Sequence, residues 1–258
     1  MVANHKLVQL SVIPSITTVT ITSSNEEILT LSIAGVNTYR LSAMKVGKCT
    51  LKASTKDGSL ITSCDVHVVP SNIPVPWKMN DIKDNKASAT YVNGIFTIEG
   101  GGNDIWCASD QFAFLNRKVS QNTFISARII SQANTDPWAK SGMMFRESLA
   151  PNSVFAMLCI TPGNGVSLQW RDTTGGICNK KDFSSTVLPV YFKLSKNGSI
   201  FRAYKSTDGK QWDLLGDITL NRSFAEPYFV GMEVLSHSTN MMNLSEFDHV
   251  KVEPEGVE

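Results

Sequence analysis

Turn dipeptides divide this sequence into short segments, and their spacing constrains the fold more than any other feature. Asn93-Gly94, Asn197-Gly198 and Asp208-Gly209 each place residues that tolerate positive φ between two segments of strand character, as β-hairpins require. As far as Val252, no helical period longer than about two turns interrupts the pattern. The chain is therefore predicted to be all-β, with helices scarce.

Alternation inside single segments indicates which side chains face a core, because successive residues of a strand point to opposite faces. Within the range 166–171, the apolar residues at alternate positions are Val166, Leu168 and Trp170. The intervening polar residues are Ser167, Gln169 and Arg171. We expect the first set to form core and the second set to meet water or a ligand.

The composition describes a folded protein without a strong electrostatic field. The residues are 42% hydrophobic, and 24 basic residues nearly balance 23 acidic ones, which gives a formal charge of +1. Such a balance offers little attraction for phosphate polymers, so nucleic acid is not an expected partner. No apolar run approaches the roughly 20 residues that span a bilayer, so no membrane is expected either.

Five cysteines occur, without a pair in C-x-x-C spacing. This number and spacing argue against a zinc knuckle and against a complete disulfide framework, so free thiols are the default. Cys49 and Cys64 could still pair if they lay on neighbouring strands in an oxidising compartment. The sequence leaves that pairing open.

Three prolines mark a boundary in the chain. Pro70, Pro74 and Pro76 fall within seven residues and hold that segment extended, as a semi-rigid spacer does. The predicted organisation is a small sandwich over residues 1–70, a linker over 71–76, a larger sandwich over 77–253 and a tail over 254–258.

The first domain carries a family resemblance. The segments ITSSNEEILTL, AMKVGKCTLKASTKDGS and CDVHVV, with the hairpin turn Lys56-Asp57-Gly58, resemble the bacterial Ig-like domains of group 2. The resemblance covers residues 20–69, and the strands before Val19 look shorter than in that family. It implies an Ig-like sandwich with an edge strand that is missing or supplied by a neighbour, so a homo-oligomer is among the expected states.

The second domain resembles another family over residues 77–252. The segments DPWAKSGMMFRES, TPGNGVSLQWRDTTGG, FRAYKSTDGKQW and VGMEVLSH look like concanavalin-like jelly-roll modules, of the LamG and lectin-glucanase type, in bacterial surface and glycan-processing proteins. The resemblance implies a two-sheet sandwich, often with a concave face for carbohydrate and usually without a catalytic role. The predicted fold class is thus all-β, a small Ig-like sandwich followed by a larger jelly roll.

Catalysis is not expected. Glucanases of this general fold carry E-x-D-x-x-E on one strand face, with carboxylates about 5 Å apart for retaining hydrolysis, and that string does not occur here. The nearest candidates are Glu246 and Asp248, whose spacing is more typical of a turn or a solvated face. The segment Ser206–Trp212 resembles the Asp-box hairpin of sialidases, which is structural.

Carbohydrate binding is the favoured chemistry of the second domain. Sugars are held by aromatic faces and by planar or bidentate polar groups, and the candidate ligand-binding residues are Trp106, Trp138, Arg146, Gln169 and Arg171. The competing interpretation is structural: each tryptophan would pack in the core or at its rim. The arginines would then pair with carboxylates such as Glu147 or Asp172.

No cofactor is expected. The Asp and Asn clusters over residues 80–85 and 103–110 carry oxygen ligands of the kind that calcium uses, without EF-hand spacing. Calcium is therefore the metal that these loops would suit. His237 is predicted to be a polar loop residue.

Three functions fit this organisation: a bacteriophage virion protein, a secreted bacterial carbohydrate-binding module, and a glycosidase. The N-terminal segment MVANHKLVQLSVIPS lacks the apolar centre of a secretory signal, which favours the virion over the extracellular or bacterial cell surface. We therefore expect a non-enzymatic adhesion protein for capsid decoration or the tail. Its partners would be capsid or tail proteins and bacterial surface glycans, engaged weakly at many copies.

Overall fold

The computed structural model describes residues 5–9, 19–35, 38–68, 73–83 and 86–255. The chain divides into two compact units, Met1–Ser71 and Asn72–Glu258. Every regular element within the described ranges is a β-strand, which confirms the predicted all-β class. In this part of the chain no helix is long and apolar enough to cross a membrane.

In its described residues the first unit has two three-stranded antiparallel sheets, with strand orders β1-β4-β3 and β2-β5-β6. Its strands are β1 (His5–Gln9), β2 (Val19–Ser23), β3 (Leu29–Gly35), β4 (Thr38–Ala43), β5 (Gly47–Thr55) and β6 (Ile61–Val68). A small core, which includes Ile21, Leu41 and Leu51, draws side chains from both sheets. The hydroxyl of Tyr39 on β4 donates to Val19 O on β2 at 2.8 Å and so ties the two sheets together.

The predicted turn at Lys56-Asp57-Gly58 joins β5 to β6, and Gly58 has a φ of 71°. Asp57 Oδ1 accepts hydrogen bonds from Thr55 Oγ1 at 2.6 Å and from Ser59 N at 3.1 Å. These bonds, that of Thr55 foremost, lower the pKa of Asp57 to about 2. The carboxylate therefore stabilises the turn in its ionised form.

Cys49 and Cys64 lie on the neighbouring strands β5 and β6 but do not face each other. In the β-ladder, Cys49 is opposite Val66 and Cys64 is opposite Leu51. Cys49 is buried, Cys64 is exposed, and both thiols are free, as are the other three cysteines.

The described part of the second unit contains fourteen strands: β7 (Lys78–Ile82), β8 (Ser88–Val92), β9 (Ile95–Gly102), β10 (Phe112–Val119), β11 (Thr123–Gln132), β12 (Lys140–Arg146), β13 (Phe155–Thr161), β14 (Gly165–Arg171), β15 (Cys178–Phe183), β16 (Val190–Asn197), β17 (Ile200–Ser206), β18 (Asp213–Thr219), β19 (Tyr228–Leu235) and β20 (Ser238–Pro254). They form two seven-stranded sheets. Sheet I has the order β15-β14-β13-β12-β19-β10-β7, and sheet II has the order β18-β17-β16-β11-β20-β9-β8.

The main core lies between the two sheets. Met143 and Phe145 of sheet I meet residues such as Phe192 and Phe201 of sheet II in one buried cluster. Met143 and Phe145 face this core, whereas Met144, between them, belongs to a second cluster on the other side of sheet I. We call this second side the outer face of sheet I.

Each predicted hairpin turn in the second unit joins two paired strands. Asn93 and Gly94, with φ of 51° and 86°, connect β8 to β9, and Gly198, with φ of 60°, connects β16 to β17. In the turn from β17 to β18, Asp208 Oδ1 accepts from Lys210 N at 2.8 Å. The Asp-box-like segment is thus a structural turn here.

The predicted linker belongs in part to the second unit. Pro70 lies outside the described residues, but Ile73 and Trp77 pack against the main core. The two units divide between Ser71 and Asn72, so the larger unit begins before residue 77. At the other end, β20 runs to Pro254, and residues 256–258 of the predicted tail lie outside the described residues.

Candidate functional site

A loop packs on the outer face of sheet I, so the polar side chains of that face on β14 are not exposed to water. The covering loop, residues 103–111, connects β9 to β10, and its Ile105 is fully buried with apolar side chains of the outer face. Beneath it the polar residues of β14 are also buried: Ser167 is 2% exposed, Gln169 1% and Arg171 0%. The alternation of β14 was thus predicted correctly, but of the two predicted environments for its polar face, water or a ligand, exposure to water is not observed.

One end of the covering loop closes over a buried ion triad. Asp110 Oδ2 accepts from Arg146 Nη1 at 2.7 Å, and Asp110 Oδ1 accepts from Arg171 Nη2 at 2.5 Å. All three side chains are 0% exposed. Further guanidinium donors reach backbone carbonyls, including Ala150 O at 2.5 Å and Ser153 O at 2.9 Å, whereas the buried Nε atoms of both arginines lack partners among the described residues.

This triad corrects the sequence-based view of the two arginines. Arg146 and Arg171, both predicted to bind ligand, share the carboxylate of Asp110 and have no accessible surface with which to contact a sugar. Their common partner is Asp110 rather than Glu147 or Asp172. Buried guanidinium groups held by one carboxylate and several carbonyls brace the loop against the sheet.

A pocket of about 360 Å³ opens at the other end of the covering loop. It brings together three of the five residues predicted to bind ligand, namely Trp106, Trp138 and Gln169. Both tryptophans are half-buried. The other lining residues are Asp104, Lys140, Lys180 and His237.

The charged groups of the pocket are paired with one another or with their neighbours. Lys140, which is 2% exposed, donates from Nζ to Asp104 Oδ1 at 2.5 Å. His237 lies between two carboxylates, with its Nδ1 3.0 Å from Asp136 Oδ1 and its Nε2 3.6 Å from Asp104 Oδ2. Lys180 lies 2.6 Å from Asp182 Oδ2, and its Nζ stands 5.0 Å from the centre of the Trp138 ring.

Two buried polar side chains near this end have oxygen atoms without hydrogen-bond partners among the described residues. Gln169 donates from Nε2 to Ser167 Oγ at 3.3 Å, but its Oε1 accepts no bond. Glu233 on β19 is 0% exposed, and neither carboxyl oxygen has a partner. Unsatisfied buried groups are costly and often mark a place that a ligand or water completes.

The carboxyl of Glu233 is held in its neutral form. Burial raises the pKa of Glu233 to about 8, and the nearby charge of Lys140 offsets this rise only in part. On the outer face Glu233 is opposite Gly142, and Cys159 follows on the next strand. Burial also raises the pKa of the Cys159 thiol, so this row of side chains is uncharged at neutral pH.

The other four lining residues were not among those predicted to bind ligand. His237, predicted as a polar loop residue, has a φ of 53°, a conformation that a non-glycine residue adopts at a cost. Asp104 lies in the cluster that was considered for calcium. The clearest missed signal is Glu233, a carboxyl at an alternate position of the otherwise apolar strand β19.

The other candidates from the sequence lie elsewhere. Asp248 on β20 pairs with Arg128, and Glu246 accepts from Ser131 Oγ at 2.9 Å, so both carboxylates are engaged by β11. Among the described residues no group of three or more His, Cys, Asp or Glu side chains could hold a metal ion. Residues 84–85 of the first acidic cluster lie outside the described part.

Comparison with known proteins gives a likeness of fold. No protein-family model and no curated protein matches the sequence. A functionally unknown protein from Saccharomyces cerevisiae is similar in structure with a TM-score of 0.54, at 15% identity, over 70% of this chain and 97% of that chain.

Two further solved structures are similar in outline. The GH43 protein BlXynB from Bacillus licheniformis has a TM-score of 0.49 at 13% identity, over 80% of this chain and 50% of that one. The Ca2+/Man3GlcNAc-bound exoplasmic/lumenal domain of VIP36 has a TM-score of 0.44 at 9% identity, over 73% of this chain and 88% of that one. The chain thus spans half the length of BlXynB, and at these identities the likeness concerns the fold alone.

Proposed function

We infer that the second unit is a non-enzymatic carbohydrate-binding sandwich whose site is the pocket between Trp106 and Trp138. The observation that carries this proposal is the combination of two half-buried indole rings with buried polar groups in one pocket. Indole faces pack against the C–H surfaces of sugar rings, and the amide of Gln169 offers directional hydrogen bonding to hydroxyls. Apolar walls with a few placed polar groups are typical of small-ligand sites.

The first test is binding of the full chain to a glycan array, followed by titration of the best ligand. We expect Trp106→Ala and Trp138→Ala each to weaken binding about tenfold or more, since indole rings are frequent energetic hot spots. Trp212→Ala is the matched control, because Trp212 is also half-buried but lies 5.1 Å from Lys193 on sheet II. If both pocket variants bind as tightly as the wild type, the pocket is not the site.

The finer proposal places this chain on the surface of a bacteriophage particle. There the first unit would dock on capsid or tail proteins, and the second would engage bacterial surface glycans. Many copies of a weak site would supply avidity without a tight individual contact. The sequence resemblances of the two units to Ig-like and lectin-like modules support this arrangement, and they equally support a secreted bacterial carbohydrate-binding module.

Mass spectrometry of purified particles separates these two settings. A virion protein is expected at many copies per particle after gradient purification. Its absence from the particles, together with its presence in washed bacterial cell-surface fractions, would contradict the virion proposal and leave carbohydrate binding untouched.

A glycosidase is the alternative function, and Glu233 is the observation that favours it. A carboxyl with a raised pKa near a pocket is typical of a general acid, and Asp104 supplies a second carboxyl at the same pocket. Against it stands the complete burial of Glu233, since a general acid must reach its substrate. Hydrolysis of chromogenic glycosides that is abolished by Glu233→Gln would establish the enzyme, whereas binding without turnover supports the lectin-like function.

A further inference from the structure

The charged side chains that line the pocket are paired with opposite charges, and this pairing favours one class of sugar over another. Asp104 is paired with Lys140, and Lys180 is paired with Asp182. His237 lies between Asp136 and Asp104. A ligand with a carboxylate, sulfate or ammonium group would have to break one of these contacts, which costs part of the energy that its own charge supplies.

The floor of the pocket requires hydrogen-bond donors rather than charge. Gln169 is 1% exposed, lines the pocket, and has one unpartnered oxygen. Because Ser167 already accepts from the amide nitrogen, the free oxygen calls for a donor from the ligand. A sugar hydroxyl is such a donor, and it carries no charge.

The residues below the floor keep the site neutral. Glu233 is fully buried and protonated at neutral pH, and its row continues through Cys159 and Ser167, which are uncharged, to Asp182, whose carboxylate is paired with Lys180. Gly142 lies between Glu233 and Cys159 and has no side chain. A larger residue does not fit there, because its Cβ would lie 2.1 Å from Leu158 O. The floor therefore contributes dipoles and no net charge.

The size of the pocket limits the ligand further. A volume of about 360 Å³ is near the lower end of the roughly 300–1,000 Å³ that is usual for ligand sites. One or two sugar rings suit this space better than a long polymer segment. The indole of Trp138 is already capped by the ammonium of Lys180, which leaves Trp106 as the freer ring.

We propose that the pocket recognises a short, uncharged saccharide unit, with one of its hydroxyls donating to Gln169 Oε1. This specificity rests on the proposed carbohydrate-binding function. Gln169 is then the residue that accepts a hydrogen bond from the ring, and the specificity for a neutral sugar comes from Lys140 and Lys180, which are already paired with carboxylates.

The test compares matched ligands on the full chain: gluco-, galacto- and manno-oligosaccharides against their uronic acid counterparts. We expect the neutral member of a pair to bind at least about tenfold more tightly. Its affinity should stay the same between about 0.05 and 0.5 M NaCl, because screening acts on charged ligands. Gln169→Met, which removes the oxygen at similar volume, should weaken binding about tenfold, whereas the exposed Gln211→Met is the control.

The possible outcomes distinguish a failure of the neutral-sugar specificity from a failure of the carbohydrate-binding function. Preference for the uronic acids, or an affinity that falls with salt, would overturn the neutral-sugar specificity and leave carbohydrate binding intact. Unchanged binding by a folded Gln169→Met protein would overturn the role of Gln169. If that variant does not fold, the ligand pairs and the salt series on the wild type still decide the specificity. Failure of every saccharide to bind would overturn the proposed function and this specificity with it.

Discussion

The two ends of the covering loop carry the same kind of residue in opposite settings. At one end Asp110 is 0% exposed and holds two arginines that are equally buried. At the other end Asp104 is 31% exposed and pairs with Lys140 at the edge of a pocket. The two carboxylates are six residues apart in sequence. That of Asp110 fixes the loop, and that of Asp104 helps to shape a site.

The difference lies in the bonds that hold each carboxylate and in whether a pocket opens beside it. Around Asp110, both guanidinium groups reach the carboxylate and nearby carbonyls, and their unpartnered Nε atoms are fully buried. Around Asp104, Gln169 and Glu233 keep oxygens without partners in the described structure. Several charge-assisted hydrogen bonds favour one arrangement of the buried triad, whereas an unpartnered oxygen that lines a pocket, such as that of Gln169, can accept a hydrogen bond from a ligand.

Removing the charge of Asp110 should have the largest effect. Asp110→Asn leaves two fully buried arginines without a counter-charge, and breaking a buried ion pair typically costs about 3–5 kcal/mol. Urea denaturation followed by tryptophan fluorescence measures this loss for the second unit alone, because all five tryptophans lie in residues 77–212. The control is Asp182→Asn, which removes an exposed partner of Lys180. A loss no greater for Asp110→Asn than for this control would contradict a bracing role.

Glu233→Gln should give the next largest effect, and its sign depends on pH. The ordinary pKa of 4.5 rises to about 8 in the folded protein. Below pH 4.5 both states are protonated and the contribution is fully present. Between these values the unfolded chain loses a proton that the folded chain keeps, so the stability falls by about 1.4 kcal/mol per pH unit.

The variant has no proton to lose at this position, so its stability relative to the wild type should rise by a few kcal/mol from pH 5 to pH 8. The comparison of the two proteins cancels the titration of all other groups. A difference that stays flat over this range would mean that Glu233 is ionised or solvated in the folded state, and the open end would then not be a neutral floor.

The same substitution at the open end, Asp104→Asn, should cost much less than Asp110→Asn. The introduced amide would retain an oxygen that can accept from Lys140, and the site is partly solvated, so we expect a loss of about 1 kcal/mol. Denaturation under identical conditions gives the contrast directly. Equal losses for the two variants would remove the distinction between a bracing end and a binding end.

The sequence predicted the strands better than the contacts between them. Alternation in β14 correctly placed Val166 and Leu168 in the core and Arg171 on the other face. It could not show that the covering loop lies over that face, because this depends on the pairing of strands far apart in the chain. Asp110 is 36 residues from Arg146 and 61 from Arg171, so no local pattern identifies it as their partner. The candidate site was predicted in part for the same reason: Trp106, Trp138 and Gln169 meet at the pocket, but only the register of β19 with β12 brings the buried Glu233 near Lys140.

The smallest loss of stability is expected from breaking a surface ion pair, that of Glu147 with Arg222. Glu147, which was considered as a partner for Arg146, instead holds Arg222 at 2.5 Å, with Arg222 53% exposed and Glu147 16%. The hydrogen bond from Arg222 is the main cause of the lowered pKa of Glu147. Because solvent screens such a pair, Arg222→Gln should cost at most about 1 kcal/mol in the same denaturation assay. It should also leave saccharide binding unchanged, since Arg222 does not line the pocket. A loss as large as that of Asp110→Asn would show that exposure does not separate the bracing contacts of this unit from its marginal ones.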